Sequence, residues 1–363
     1  MTPRHDDRMH RAGEAAAELG FDAVVIPPSP DLAYLAGYAP IPFERPTLLI
    51  LRPDQPPLML VPALEEPLAA SAMGGLVELR PWGDGDDPYE AAAGLLPVAG
   101  RVAVGDRLWA AHLLGLQRAT GSSFAPASPV LGPIRAIKDA DELAALRRAG
   151  HAADEAYRLV CETRFQGRRE QEIADELAGL LVDQGHDRAE FTIVASGPNS
   201  ASPHHEPGGR RIGPGDVVVM DFGGDVDGYY SDTTRTVVVG EADEEVRRVH
   251  AVVAEAQETA CEAVRPGIAA HELDRIARDV IERAGYGDRF IHRTGHGIGL
   301  EVHEPPYLVA GDRWIMQPGT TFSIEPGIYL AGRFGVRIED IVAVTDDGAE
   351  RLNRSPRELR SVA

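Results

Sequence analysis

The sequence predicts a two-domain α/β (α+β) protein whose second, larger domain is internally duplicated. Three observations carry this. Short apolar runs alternate with helical stretches through the N-terminal third. A Pro/Gly-rich break occupies residues 125–133. Beyond it, two alanine- and glutamate-rich helix pairs recur at a spacing of 100 residues, each leading to a hairpin with two carboxylates.

The elements follow in order. Residues 4–19 read as a helix. Residues 23–26, 47–51, 58–61, 76–79 and 102–104 read as short strands, and 64–73, 89–96 and 108–120 as helices. Such alternation builds a small α/β layer. It carries no cluster of catalytic residue types. The stretch Ala125-Pro126-Ala127-Ser128-Pro129, with Gly132-Pro133 just beyond, reads as a linker, so the domains are placed at 1–133 and 134–363. A chain of 363 residues is long enough for two cores. The second domain opens with a helix over 139–163, with Asp139 as its N-cap, and a helix over 170–183. A strand at 191–195 and a hairpin around Asp225-Val226-Asp227-Gly228 come next. Helices over 244–264 and 269–284 precede a second hairpin around Ala331-Gly332-Arg333.

The repeat is specific in places. Cys161-Glu162, Gly167 and Glu172-Ile173 recur as Cys261-Glu262, Gly267 and Glu272-Leu273. Residue identity alone could be coincidence between two similar helix pairs. The shared order of helix, glycine, helix and carboxylate hairpin is the stronger sign. With both hairpins facing inward, a site would lie on a pseudo-twofold axis.

Five residues read as that site: Asp221, Asp232, His296, Glu325 and Glu339, in VVVMDFGG, YYSDTTRT, RTGHGIG, FSIEPGIY and GVRIED. Four carboxylates and an imidazole are a hard, oxygen-rich set. They suit Mn²⁺, Co²⁺, Fe²⁺ or Zn²⁺ at two adjacent positions better than a thiolate-built zinc site. Asp221 and Asp232 lie almost symmetrically about their turn, where cross-strand Cβ atoms stand roughly 4.5–5.5 Å apart. Glu325 and Glu339 are equidistant from Gly332. Two ions about 3.5–4 Å apart can hold one hydroxide and polarise one carbonyl. Convergence of the five therefore predicts a hydrolase.

Bulk properties remove other classes. The net charge of −21 argues against nucleic acid and anionic membranes, which need basic patches. The charged start lacks the apolar core of a secretory signal, and no apolar run of about 18 residues is present. Cys161 and Cys261 fall in helical settings and read as buried thiols of a reducing compartment, the cytoplasm.

The five residues in this order, with GHGIGLEVHE, SIEPGIY and VRIED, resemble the proline-directed metallopeptidases of the creatinase, aminopeptidase P and prolidase superfamily (peptidase M24-like). The resemblance spans roughly residues 139–355. Residues 29–38 are similar to that family's N-terminal domain. It implies a C-terminal pita-bread catalytic domain behind a smaller creatinase-like domain. It also implies a homodimer whose N-terminal domains help to enclose the active site, and two divalent ions, Mn²⁺ or Co²⁺ before Zn²⁺ or Fe²⁺. Asp221 and Asp232 would chelate one ion, with Asp232 bridging. His296, Glu325 and Glu339 would hold the second, with Glu339 bridging and Glu325 also the general base. His303 and His204 fall at substrate-contacting positions, where they could stabilise a tetrahedral intermediate or shuttle protons. His205 leaves the second assignment open by one position. His292 reads as structural.

Supporting residues follow from strand geometry. Arg337 shares a strand face with Glu339 and is expected to orient it. Thr234 shares the face of Asp232 and could hydrogen-bond a ligand carboxylate. Gly295, Gly297 and Gly299 are expected to let the backbone bend around His296.

The expected reaction is hydrolysis of the Xaa–Pro bond in short proline-containing peptides. That amide is tertiary and lacks an N–H, so its leaving nitrogen needs a placed proton donor. An Xaa-Pro dipeptidase is preferred, since the length matches short bacterial prolidase-like chains. The alternatives are an Xaa-Pro aminopeptidase and a family member reused for non-peptide C–N hydrolysis. A dipeptidase should clamp the substrate's C-terminal carboxylate. Family prolidases often carry a basic residue just after the Pro of the HExP-like segment, where this chain has Tyr307. Arg293, Arg313 or an N-domain residue could serve instead. Methionine aminopeptidases share the five ligands but lack the extra N-terminal domain. Creatinases and non-catalytic members have lost ligands that this chain keeps.

Overall fold

The computed structural model describes residues 3–53 and 55–363. The chain divides into two compact units, Met1–Arg135 and Ala136–Ala363. The first unit runs α1 (Pro3–Glu18), β1 (Ala23–Ile26), α2 (Pro30–Ala36), β2 (Leu48–Arg52), β3 (Gln55–Pro62), α3 (Glu66–Met73), β4 (Glu78–Trp82), α4 (Pro88–Ala93), β5 (Arg101–Val104), α5 (Ala110–Thr120) and β6 (Ser123–Pro126), closing with α6 (Ser128–Ala136). Its mixed sheet has the order β4-β3-β2-β1-β5-β6. Val25, Ile50, Leu60 and Val102 pack from this sheet against Ala92, Leu96 and Leu116 of the α4–α5 segment.

The expected linker is ordered structure. β6 is an edge strand paired parallel to β5, and α6 carries Pro133 inside it. Proline is tolerated on a sheet edge, where a missing N–H costs no ladder bond, so the Pro-rich composition misleads here. α2 has no counterpart among the expected elements. Ser29 caps it, accepting from Leu32 N at 3.3 Å, and Pro30 presets its first turn.

The second unit runs α7 (Ala140–Val160), α8 (Glu170–Asp183), β7 (Arg188–Ser196), β8 (Val217–Val226), β9 (Tyr229–Tyr230), β10 (Thr233–Val239), α9 (Glu244–Ala263), α10 (Ala270–Arg283), β11 (Gly295–Gly297), β12 (Glu304–Leu308), β13 (Thr321–Ile324), β14 (Gly327–Leu330), β15 (Phe334–Arg337), β16 (Asp340–Val344), β17 (Ala349–Arg351) and β18 (Arg360–Val362). Asp139 caps α7 in a full capping box with Glu142. One sheet has the order β18-β10-β8-β7, with β9 on β8. The other has the order β12-β11-β13-β16-β17, and β14-β15 form a ribbon.

The duplication is visible in backbone hydrogen bonds. Gly167 N donates to Ile212 O, and Gly267 N to Met316 O. Ile212 N returns to Arg168 O, and Met316 N to Ile268 O. Glu170 N reaches Arg210 O, as Ala270 N reaches Trp314 O. Gly167 and Gly267 sit at φ 85° and 88°, the left-handed region that favours glycine. In each half, therefore, a helix pair is tied by the same bonds to the segment that precedes its carboxylate hairpin.

Candidate metal centre

The Asp hairpin turns at Asp227-Gly228, both at positive φ (54° and 79°), as a type I′ turn requires. Its register puts Asp221 opposite Thr234. The expected direct pairing of Asp221 with Asp232 is therefore corrected. Asp232 lies in the break between β9 and β10 and is a diagonal neighbour of Asp221. In the second hairpin, the register Ile324↔Asp340 resumes beyond the break as Gly327↔Arg337. Glu325 and Glu339 thus stand opposite each other at the base of the ribbon.

The donor atoms converge in two overlapping groups. Asp221, Asp232 and Glu339 offer oxygens within 4.8 Å of one another, and the donor atoms of His296, Glu325 and Glu339 lie equally close. Glu339 is common to both. A third group joins Asp232, His296 and His303. His296 Nε2 lies 3.3 Å from Glu325 Oε1 and 3.6 Å from Asp232 Oδ2. Its Nδ1 is 3.1 Å from Gly297 O. A proton held there leaves Nε2 as the free lone pair facing the carboxylates.

β11 carries His296 between β12 and β13. The flanking glycines serve a different end from the bend expected of them. A Cβ at Gly295 would strike Ser323 O, and one at Gly297 would strike Pro305 O. Glycine lets the two neighbouring backbones close on His296.

The site fits a cationic group. Asp221 Oδ1 and Glu339 Oε1 are buried and have no hydrogen-bond partner. Burial, then repulsion from neighbouring carboxylates, raises Asp232 and Glu339 well above the usual carboxylate range. Burial likewise lifts Glu325 to about 7, although Arg337 pulls it down. Buried carboxylates crowded in this way need positive charge. The hard donor set suits divalent ions.

One arginine supplies part of that charge. Arg337, buried, donates from Nη2 to Asp221 Oδ2 at 2.5 Å, from Nε to Thr234 Oγ1 at 3.1 Å and from Nη1 to Tyr329 OH at 2.8 Å. Its direct partner is thus Asp221, and the expected contact with Glu339 is indirect. Thr234 Oγ1 makes that contact, donating to Glu339 Oε2 at 2.7 Å. His292 Nε2 lies 2.8 Å from Tyr329 OH. Burial and the Arg337 charge push His292 down to about 4, so it is neutral and extends the Asp221–Arg337–Tyr329 chain.

The four carboxylates, His292, His296 and Arg337 line a cavity of about 450 Å³, with His204, Arg293 and His303 also on its wall. The rings of His296 and His303 meet edge to face at 4.1 Å. The next residue, Glu304, is pinned by a buried ion pair to Lys138 at 2.6 Å. His204 and His205 part company. His204 is on the cavity wall, whereas His205 Nε2 lies 2.9 Å from Glu170 Oε2.

Glu170 escapes a reading of the sequence. Fully buried, it also accepts from Ser196 N and Oγ, both at 2.7 Å, and from Asn199 Nδ2 at 3.0 Å. It ties down both ends of the loop that carries His204. An acid in the first turn of a helix is ordinary. The only hint is the polar run Ser196 to His205 after an apolar strand. Glu170→Gln reverses the match to these donors. It is expected to lower kcat by about 10- to 100-fold through misplacement of His204. Metal content should stay unchanged, as plasma emission spectrometry can check.

Residues 144–346 match the profile of metallopeptidase family M24, and residues 8–137 that of the creatinase/prolidase N-terminal domain. The chain is 45% identical over 360 residues to a probable dipeptidase PepE of Mycobacterium tuberculosis, covering 97% of this chain and 95% of that protein. It is 35% identical over 340 residues to an Xaa-Pro dipeptidase of Pyrococcus horikoshii, covering 93% and 94%. Among solved structures, dipeptidase PepE from Mycobacterium ulcerans superposes with a TM-score of 0.95 at 43% identity over 99% and 98% of the two chains. Recombinant prolidase from Thermococcus sibiricus gives 0.94 at 38% identity over 100% of each.

Proposed function

The chain belongs to metallopeptidase family M24, and we propose that within it this protein is a metal-dependent Xaa-Pro dipeptidase. The observation that carries this is the convergence of four carboxylates and His296, with two orphaned oxygens, on a cavity that also presents His204 and His303. Relatives along nearly the whole chain bear the names dipeptidase and Xaa-Pro dipeptidase.

When bound, two divalent ions would supply a nucleophile at neutral pH and polarise the scissile carbonyl. Asp221, Asp232 and Glu339 would hold one, and His296, Glu325 and Glu339 the other, with Asp232 also close to His296. Glu325 takes the proton of the attacking water. Its carboxylate faces the same cavity as His296 and His303. His303 and His204 face the reacting bond from the cavity wall. They donate to the developing oxyanion or to the leaving proline nitrogen, which has no proton of its own. Arg337 acts through Asp221 as a positioning residue.

The oxygen-rich donor set suits Mn²⁺, Co²⁺, Fe²⁺ or Zn²⁺, and the family resemblance puts Mn²⁺ or Co²⁺ first. A homodimer is supported by the first unit, where Ile41, Phe43, Leu64 and Leu68 stand exposed around a cavity of about 820 Å³. In this reading that unit serves dimer contacts and substrate fit, and the second unit does the chemistry. Cys161 and Cys261 are free and buried, which suits the cytoplasm. Among the described residues no helix is long and apolar enough to cross a membrane.

The test incubates metal-loaded protein with Xaa-Pro, Xaa-Pro-Xaa and Met-Ala-type peptides and measures released amino acids. Release from Xaa-Pro alone is expected. Equal release from the tripeptides would make the enzyme an aminopeptidase, and release from none would end the reading.

A further inference from the structure

Arginines meet in a second cleft of the catalytic unit, between α7 and the C-terminal segment 354–360. The cleft encloses about 420 Å³. Arg158, Arg354 and Arg360 stand on its wall with His151, beside the buried Tyr157. Among the described residues, Arg354 and Arg360 form no hydrogen bond or ion pair through their side chains. The acids of the wall are already engaged. Asp154 accepts from Arg354 N at 2.6 Å and from Ser355 N at 2.8 Å, and Ser355 Oγ also donates to it. Glu155 is held by Arg158 at 2.9 Å.

The duplication supplies an internal comparison. At the 100-residue offset, Arg158 of α7 corresponds to Glu258 of α9. Glu258 Oε2 takes Arg351 at 2.9 Å and Arg357 at 3.0 Å, both from the C-terminal part of the chain. In that half, the helix closes its arginines with its own carboxylate. In the first half, the helix brings a further arginine to the place where the acid would stand. Arg158 does reach Glu162 as well as Glu155, at 2.7 Å. Such half-exposed pairs along one helix contribute little, and they leave Arg354 and Arg360 unanswered.

The backbone of the cleft is held in place. Asp154 pins the turn at Arg354-Ser355 from α7. Buried Arg235 holds it from the other side, donating to Ser355 O at 2.9 Å and to Pro356 O at 3.1 Å. Arg360 opens β18, which pairs with β10. The chain carrying the guanidiniums is thus fixed while their N–H edges stay open. An arriving anion loses least to ordering in such a site. Guanidinium forks match carboxylate and phosphate oxygens. A phosphate monoester carries nearly two charges at pH 7 and has three strong acceptor oxygens, whereas a carboxylate has one charge to share among three arginines. Tyr157 and Pro356 add apolar wall for the body of an ester.

We propose that this cleft binds a phosphate-class oxyanion, free or as the monoester of a small metabolite, through Arg158, Arg354 and Arg360. The site does not depend on the dipeptidase reading.

Calorimetry of the metal-loaded full chain tests it, with sulfate, phenyl phosphate and succinate as titrants in chloride of matched ionic strength. Sulfate stands for the free anion and avoids the affinity of phosphate for divalent ions. Wild type is expected to bind one sulfate or phenyl phosphate per chain with a Kd below about 1 mM. Equal affinity for the two marks a free anion as the natural occupant, and a gain for phenyl phosphate marks an ester. Joint replacement by Arg354→Gln and Arg360→Gln should weaken the Kd by about 10- to 100-fold, the scale of losing a hydrogen bond to a charged group. Arg158→Glu, which copies Glu258, should fill the cleft with its own carboxylate and abolish binding. Wild-type metal content in these variants reports an intact fold. Arg354 is exposed, so Arg354→Gln alone serves if the double variant misfolds. No saturable binding, a wild-type Kd in the variants, or tighter binding of succinate than of either oxyanion would overturn the proposal.

Discussion

Asp232→Ala is expected to lose at least one divalent ion per chain and to drop turnover by about 10³-fold or more, the scale of removing one member of a catalytic unit. Asp232 groups with Asp221 and Glu339 on one side and with His296 and His303 on the other, so no neighbour can replace it. The same change has an opposite effect on the metal-free protein. There, Asp232 is a buried carboxylate held against Glu339, Asp221 and Glu325. Removing it relieves repulsion, and the apo variant should melt higher than apo wild type. Metal content, kcat/KM and two melting curves check the pair of outcomes. Full activity in the variant, or in excess chelator, would refute the centre.

His303→Ala is expected to fold and to bind its ions, yet to lose about 10² to 10⁴ in kcat, the range for a general acid or oxyanion donor. The imidazole meets His296 edge to face and ends in the cavity, while Lys138–Glu304 holds its loop whatever residue stands at 303. His204→Ala should behave alike. His205→Ala should act only through the Glu170 anchor, with a smaller loss. Wild-type kcat in His303→Ala would remove it from the chemistry. If His205→Ala alone were damaging, the roles of the two neighbours would exchange.

Much of this site is legible in the sequence because it is built from local signals. The Asp-Gly turn selects a type I′ hairpin, and Gly332 centres the second ribbon, so spacing places Glu325 opposite Glu339 and brings Asp221 and Asp232 into one hairpin. What escapes depends on irregularity or distance. The break at Ser231-Asp232 moves Asp232 off the ladder, and no spacing rule reveals it. Strand alternation points Arg337 toward Glu339, but it fixes a face and not a partner on another strand. Asp221 takes it. Glu170 meets His205 across 35 residues, and both look ordinary in sequence. Composition alone makes a linker of the Pro-rich stretch at 125–133. Proline's cost depends on which backbone N–H a position needs, and composition does not record that.

The five donors come from two halves of one unit, Asp221 and Asp232 from the first and His296, Glu325 and Glu339 from the second. An unfolded chain holds them far apart, so ion binding and folding are thermodynamically linked. At an ion concentration of 100 times its Kd, each such site adds about 2.7 kcal/mol to stability. Part of the stability of this unit would thus be lent by the medium, and a cell short of the ion would hold a less stable protein as well as an idle one.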